Sequence, residues 1–158
     1  MKVQELMVKT VFSINDNATV NDAAQLMWEH DCGCIPVIHA PDSKLVGVIT
    51  DRDIAMAGYT TGKPLRDIAV TTACSSEGIV ASPEDDIADV EEWMQSNQIR
   101  RIPVVNESSE VVGIVSLNDI AIAAGTRGSG INSKEVASTL SAICRKSGSV
   151  ELNAVVAA

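Results

Sequence analysis

The segment Gly47-Val48-Ile49-Thr50-Asp51-Arg52-Asp53-Ile54-Ala55 recurs as Gly113-Ile114-Val115-Ser116-Leu117-Asn118-Asp119-Ile120-Ala121. Each copy runs from an apolar, strand-like stretch through a hydroxyl residue to a carboxylate three positions later. An internal repeat sets the architecture before any other reading does, because each unit buries its apolar face against the other. Here it also points to a pair of equivalent small-molecule sites.

Outward from the motif the correspondence continues. Ile35-Pro36-Val37-Ile38 matches Ile102-Pro103-Val104-Val105, with Pro103 following Pro36 by 67 positions. Thr19-Val20-Asn21-Asp22 matches Asp86-Ile87-Ala88-Asp89 at the same offset, whereas Gly47 and Gly113 are 66 apart, one residue being lost in the second hairpin loop. Val3-Gln4-Glu5-Leu6 resembles Leu65-Arg66-Asp67-Ile68 at an offset of 62, so Thr71 to Gly78 is expected to hold a surface insertion of about five residues.

Each unit reads strand, helix, strand, strand, helix. Val11 to Ile14 is expected as a short strand. Val20, Ala23, Ala24 and Met27 follow helical spacing behind a Thr19/Asp22 capping pattern, and Ile87, Val90 and Met94 repeat that stripe. The β-rich runs 35–38 and 44–49 bracket a turn with Pro41 and Asp42, and 102–105 and 111–115 bracket a second turn. The helix after each motif is expected to end at a glycine, Gly58 in one copy and Gly125 in the other. Asn132 to Lys146 reads as an amphipathic helix with Val136, Leu140 and Ile143 on one face and Arg145-Lys146 in its last turn, after a Gly125–Gly130 linker. Ser147 to Ala158 carries no periodicity and is expected to be disordered. The organisation is thus unit 1 over 1–62, unit 2 over 63–125, and a C-terminal linker, helix and tail over 126–158.

The chain has 158 residues and a net charge of −9. Two units of roughly 60 residues, each marginal alone, are expected to share one folded body. The acidic balance argues against nucleic acid or an anionic membrane as the main partner. No apolar run reaches the length of a membrane span and Met1 to Glu5 lacks a signal-peptide core, so a cytoplasmic location is expected. Cys32-Gly33-Cys34 is C-x-C rather than C-x-x-C, and no second pair completes a zinc pattern. Reduced thiols are the plain reading. A thiol-redox or metal-binding protein using Cys32, Cys34 and Cys74, with His30 and His39 flanking the pair, is the competing one.

Two readings fit the repeated hydroxyl and carboxylate. Thr50 with Asp53, and Ser116 with Asp119, can form capping boxes that satisfy free backbone N–H groups. Alternatively, a helix N-terminus at a strand end can offer N–H groups to a polar ligand, the carboxylate suiting a donor-rich group such as a ribose diol. Arg100-Arg101 precede the second Pro strand where the first unit has Gly33 and Cys34. They are either solvated surface or the positive charge that an anionic ligand needs in an acidic protein. No nucleophile motif, P-loop or acid–base cluster is present, which disfavours an enzyme.

At these residues the chain resembles a cystathionine-β-synthase (CBS) domain pair, or Bateman module, of the small stand-alone bacterial type. The resemblance covers about residues 1–124 and rests on Ile-Pro-Val-Ile with Leu-Val-Gly-Val-Ile-Thr-Asp-Arg-Asp-Ile, and on Arg-Arg-Ile-Pro-Val-Val with Val-Val-Gly-Ile-Val-Ser-Leu-Asn-Asp-Ile. It implies an α+β fold: two β-α-β-β-α units related by a pseudo-twofold axis, with ligand clefts between them. It implies a non-catalytic regulatory or energy-sensing module with no required cofactor, binding AMP, ADP, ATP, S-adenosylmethionine or an NAD-type dinucleotide. One cleft would hold Thr50, Arg52, Asp53, Ile79, Val80, Arg100, Arg101, Ile102 and Pro103. The other would hold Val11, Phe12, Cys34, Ile35, Pro36, Ser116, Asn118 and Asp119, without arginines. The expected partners are a homodimeric second copy, through Ile54, Met56, Ile120 and Ile122 and the helices starting near Val20 and Ile87, and a regulated protein. A structural dimer with vestigial sites is the remaining alternative.

Overall fold

The computed structural model describes residues 1–76 and 78–145, and the expectations for Lys146 and for Ser147 to Ala158 fall outside them. Unit 1 contains β1 (Ile14–Asn15), α2 (Val20–Glu29), β2 (Cys34–Ile38), β3 (Leu45–Thr50) and α3 (Asp51–Thr61), preceded by a one-turn α1 (Val3–Leu6). Unit 2 contains α4 (Ile87–Asn97), β4 (Arg101–Val105), β5 (Val111–Ser116) and α5 (Leu117–Ala124), followed by α6 (Ser133–Cys144). β1 pairs parallel with β2, and β2 antiparallel with β3. β4 pairs antiparallel with β5, and a single parallel bridge from Ala81 to Val104 stands where β1 stands in the first sheet. The result is a mixed α+β fold of two small sheets, each backed by helices.

Local chemistry explains most boundaries. Thr19, Thr50 and Ser116 each cap a helix and each closes a capping box with the carboxylate three residues on. α3 does not end at Gly58; it continues to Thr61 and stops at Gly62, whose φ of 64° suits the residue without a Cβ. α5 stops at Gly125 as expected. The expected strand from Val11 shrinks to Ile14–Asn15, because only Ile14 and Asn15 reach ladder partners on β2. In α6 the buried face is Val136, Thr139 and Ile143, with Leu140 turned to solvent at 47% exposure, and no basic residue lies in the last turn.

The units exchange their leading segments. Val3 is fully buried in the second core with Val90, Met94 and Ile102, while Ile68 and Val70 are buried in the first core with Val20, Ile35 and Ile49. Val3 N–H donates to Asp85 O (2.9 Å), and Val70 N–H donates to Ala18 O (3.0 Å). Val8 bridges Ile114 just as Ser75 bridges Val48. Val3 is therefore the counterpart of Val70, and Val8 of Ser75, an offset of 67 throughout. The expected match of Val3–Leu6 to Leu65–Ile68 is overturned, and with it the insertion at Thr71 to Gly78. Leu65–Asp67 is instead a 3₁₀ turn in the connection between the units.

This reciprocity is the signature of a pseudo-twofold axis. Lys44 and Glu110, equivalent positions in the two hairpins, bridge each other. A residue that pairs with its own counterpart must lie beside the axis. α6 breaks the symmetry by packing across α4 and α5 of the second unit.

Candidate functional site

Two cavities lie where the units meet. The larger, about 700 Å³, is bounded by the start of α3, the end of α4 and the opening of β4. Among the residues expected there, Thr50, Arg52, Ile79, Arg100, Arg101 and Pro103 line it. Three others do not. Ile102 has no exposed surface and belongs to the second core. Val80 lines a shallower neighbouring hollow of about 200 Å³ beside Gly47 and Gly78. Asp53 is absent from the wall: its Oδ2 accepts both the Thr50 N–H (2.8 Å) and the Thr50 hydroxyl (2.6 Å).

Of the residues named for the second cleft, Val11, Phe12, Cys34, Ser116 and Asp119 line the smaller cavity, about 370 Å³. Ile35 is fully buried in the first core, Pro36 is buried within β2, and Asn118 is exposed on α5 away from the cavity. Asp119 repeats the cap, its Oδ2 accepting the Ser116 N–H (2.9 Å) and hydroxyl (2.6 Å), yet it also reaches the cavity wall. The capping reading of both motifs is therefore correct at the level of hydrogen bonds. The phenyl ring of Phe12 stacks on the His30 imidazole with centroids 3.5 Å apart.

One expectation fails in an informative way. The smaller cavity does not lack arginine, because Arg101 lines both cavities. Arg52, Arg100 and Arg101 take part in no ion pair among the described residues, so their charge is open to a ligand. Arg100 lies 3.8 Å from the Cys144 sulfur, and Ile143 adds an apolar side to the larger cavity. Sequence reading missed Asp51, Ile99 and Ile143. Asp51 and Ile99 adjoin named positions and could have been included on that ground, but Ile143 sits outside the repeat, and no pattern links it to this cleft.

Burial pushes the Cys34 thiol up to about 11, against the lowering influence of the Arg101 charge, and burial also raises Cys74. Both are poor thiolates at neutral pH. Among the described residues no three His, Cys, Asp or Glu side chains converge as metal ligands, and no helix is long and apolar enough to cross a membrane.

Comparison with known proteins agrees with this architecture. The family model described as "CBS domain" matches residues 3–59 and again 65–125. A CBS domain-containing protein, YhcV of Bacillus subtilis, is 35% identical over 120 residues, covering 76% of this chain and 83% of its own. The CBS domain pair of protein MJ0100, solved with 5′-methylthioadenosine and S-adenosyl-L-methionine, superposes with a TM-score of 0.72 at 27% identity, covering 79% of this chain and 96% of that one. Hypoxic Response Protein I, solved with two coordinated zinc ions, gives a TM-score of 0.69 at 30% identity, covering 77% and 98%. Two matched repeats, the reciprocal packing and the clefts between units lead to one conclusion: the chain belongs to the CBS-domain family and is a tandem pair of CBS domains.

Proposed function

We propose that the protein is a non-catalytic regulatory module that binds adenosine-containing ligands in the two cavities between its units. The observation that carries this reading is the larger cavity: about 700 Å³, with apolar walls from Ile79, Ile99 and Ile143 beside three arginines free of ion pairs among the described residues. An apolar slot with a few convergent polar groups suits a purine carrying an anionic tail. In this reading Ile79 and Ile99 hold the base, Thr50 and the arginines meet phosphate, and Asp119 meets a ribose in the smaller cavity. Asp51 is the carboxylate available in the larger one. A CBS-pair relative above 25% identity holds methylthioadenosine and S-adenosylmethionine, which supports the same ligand class.

Ligand binding signals only if two packing states differ in affinity. The states proposed here are two arrangements of a homodimer in the cytoplasm, acting on a regulated protein. Met56 (46% exposed) and Ile122 (73%) offer surface to a second copy, whereas Ile120 is fully buried and does not. Titration calorimetry with AMP, ADP, ATP, S-adenosylmethionine, NAD and UMP tests the ligand class. Binding of adenosine compounds and not of UMP is expected, and no heat with any adenine compound at millimolar concentration would sink the reading. Light scattering is expected to give about twice the 16.7 kDa chain mass. The raised thiols disfavour the thiol-redox alternative.

A further inference from the structure

Among the described residues, two line both cavities, Cys34 and Arg101. They open β2 and β4 at equivalent positions, 67 apart. This is a consequence of the axis: a side chain close to a twofold faces both symmetric halves at once. In this chain the two counterparts are chemically unlike. One is an uncharged, buried thiol, and the other is an exposed guanidinium. Gly33 marks where that guanidinium lies. A Cβ on Gly33, which lines the smaller cavity, would stand 3.8 Å from Arg101 Nη2 and 2.9 Å from Oδ2 of Asp51, which lines the larger.

The charge inventory on either side is unequal. The larger cavity sets Arg52, Arg100 and Arg101 against Asp51. The smaller sets Arg101 alone against Asp31 and Asp119, beside His30. An anion in the smaller cavity therefore depends on Arg101, and a guanidinium forked onto one phosphate cannot present the same donors to another. A second phosphate held at the same side chain would also lie near the first, where like charges repel. We infer that Arg101 is one phosphate-reading residue shared by the two cavities, so that an anionic ligand in the larger excludes a second anion from the smaller and leaves it open to an uncharged adenosyl compound. This rests on the adenosyl-binding reading and adds the rule by which the sites are coupled.

Calorimetry on the full chain with AMP and with adenosine decides it. The wild-type protein is expected to bind one AMP per chain, with any second AMP weaker by at least about tenfold, a common size for coupling between sites. AMP-saturated protein is expected still to take up one adenosine. Arg101→Gln is expected to weaken AMP at least about tenfold more than it weakens adenosine. Two equal, independent AMP sites in the wild type overturn the inference and leave the adenosyl reading intact, as does an unchanged AMP isotherm in Arg101→Gln. Absence of binding by both adenosine and AMP also overturns the inference, and the adenosyl reading falls with it only if ADP, ATP, S-adenosylmethionine and NAD give no heat either. The wild-type stoichiometry decides the coupling whether or not the variant folds.

Discussion

The outer helical face of the first repeat is bare where the same face of the second is covered. α6 lies across α4 and α5, and the positions under it have adapted. Gln95 donates to the Thr139 hydroxyl (2.9 Å), and that hydroxyl in turn donates to the buried Glu91 (3.2 Å). The counterparts in the first repeat, 67 positions earlier, are Trp28 and Ala24. Trp28 is 88% exposed, and Tyr59 on α3 is 83% exposed. One duplicated backbone thus carries two different surfaces. The difference comes from a single appended helix, which also reaches the larger cavity through Ile143 and leaves the smaller one untouched.

The largest expected effect comes from removing that helix. Deleting residues 131–158 removes the buried Val136 and Ile143 and exposes the surface of α4 and α5 beneath them, a loss of roughly 1.5–3 kcal/mol for each of these side chains. The loss should fall on the second repeat. Each repeat has one tryptophan, Trp28 and Trp93, so urea unfolding of single-tryptophan variants can follow the two separately. An unchanged midpoint for the Trp93 signal would show that α6 is not part of the second repeat's stability.

A smaller asymmetry is expected at the paired glycines. A Cβ at Gly47 would collide with the backbone carbonyl of Ser75, which cannot move without breaking its bridge to Val48. At Gly113 the obstacle is the Met7 sulfur, 2.5 Å away at the end of a flexible side chain. Gly47→Ala should therefore cost about 1–3 kcal/mol, and Gly113→Ala less than about 1 kcal/mol. Equal losses on thermal unfolding would contradict the difference in their neighbours. The caps should behave alike instead: Thr50→Ala and Ser116→Ala are each expected to cost about 1 kcal/mol, since their hydrogen-bond geometry is the same. A gap of more than about 1 kcal/mol between them would mean that one hydroxyl does more than cap.

The smallest effect is a pH dependence confined to the second repeat. Burial lifts the Glu91 carboxyl above its ordinary value, the Thr139 hydrogen bond opposes this, and the Glu135 charge adds to it. A carboxyl with a raised native pKa favours the folded state when protonated. Stability then falls as pH rises from the ordinary value through the native one. Glu91→Gln keeps the acceptor for Thr139 and removes the charge, so it should stabilise at neutral pH by less than about 1 kcal/mol after solvent screening, and flatten that slope. Unfolding at pH 4, 5.5 and 7 checks it. A variant with the wild-type slope would assign the dependence to another group.

Much of this was readable because it is local. The capping boxes, the Pro-containing strands and the two hairpins each follow from a few consecutive residues. The motif alone could not separate a cap from a binding site, and here the two overlap at Asp119 but not at Asp53. The relation of the first segment to the connecting one was misread for a physical reason. Val3-Gln4-Glu5-Leu6 and Leu65-Arg66-Asp67-Ile68 share an amphipathic turn, whereas the true counterpart of Val3 is Val70, followed by Thr71-Thr72-Ala73. Nothing in those side chains resembles Gln4-Glu5-Leu6. Their equivalence lies in backbone hydrogen bonds to Asp85 and Ala18.

The sequence by itself determined the repeat and the order of helices and strands, because these rest on periodicity and short-range hydrogen bonding, and its resemblance to CBS pairs implied the general place of the clefts. Tertiary structure alone decided which segment completes which core, which cleft α6 enters, and that Arg101 stands between two cavities. Those outcomes depend on how two units dock about an axis. A residue's distance from that axis is not a property of its neighbours in the chain.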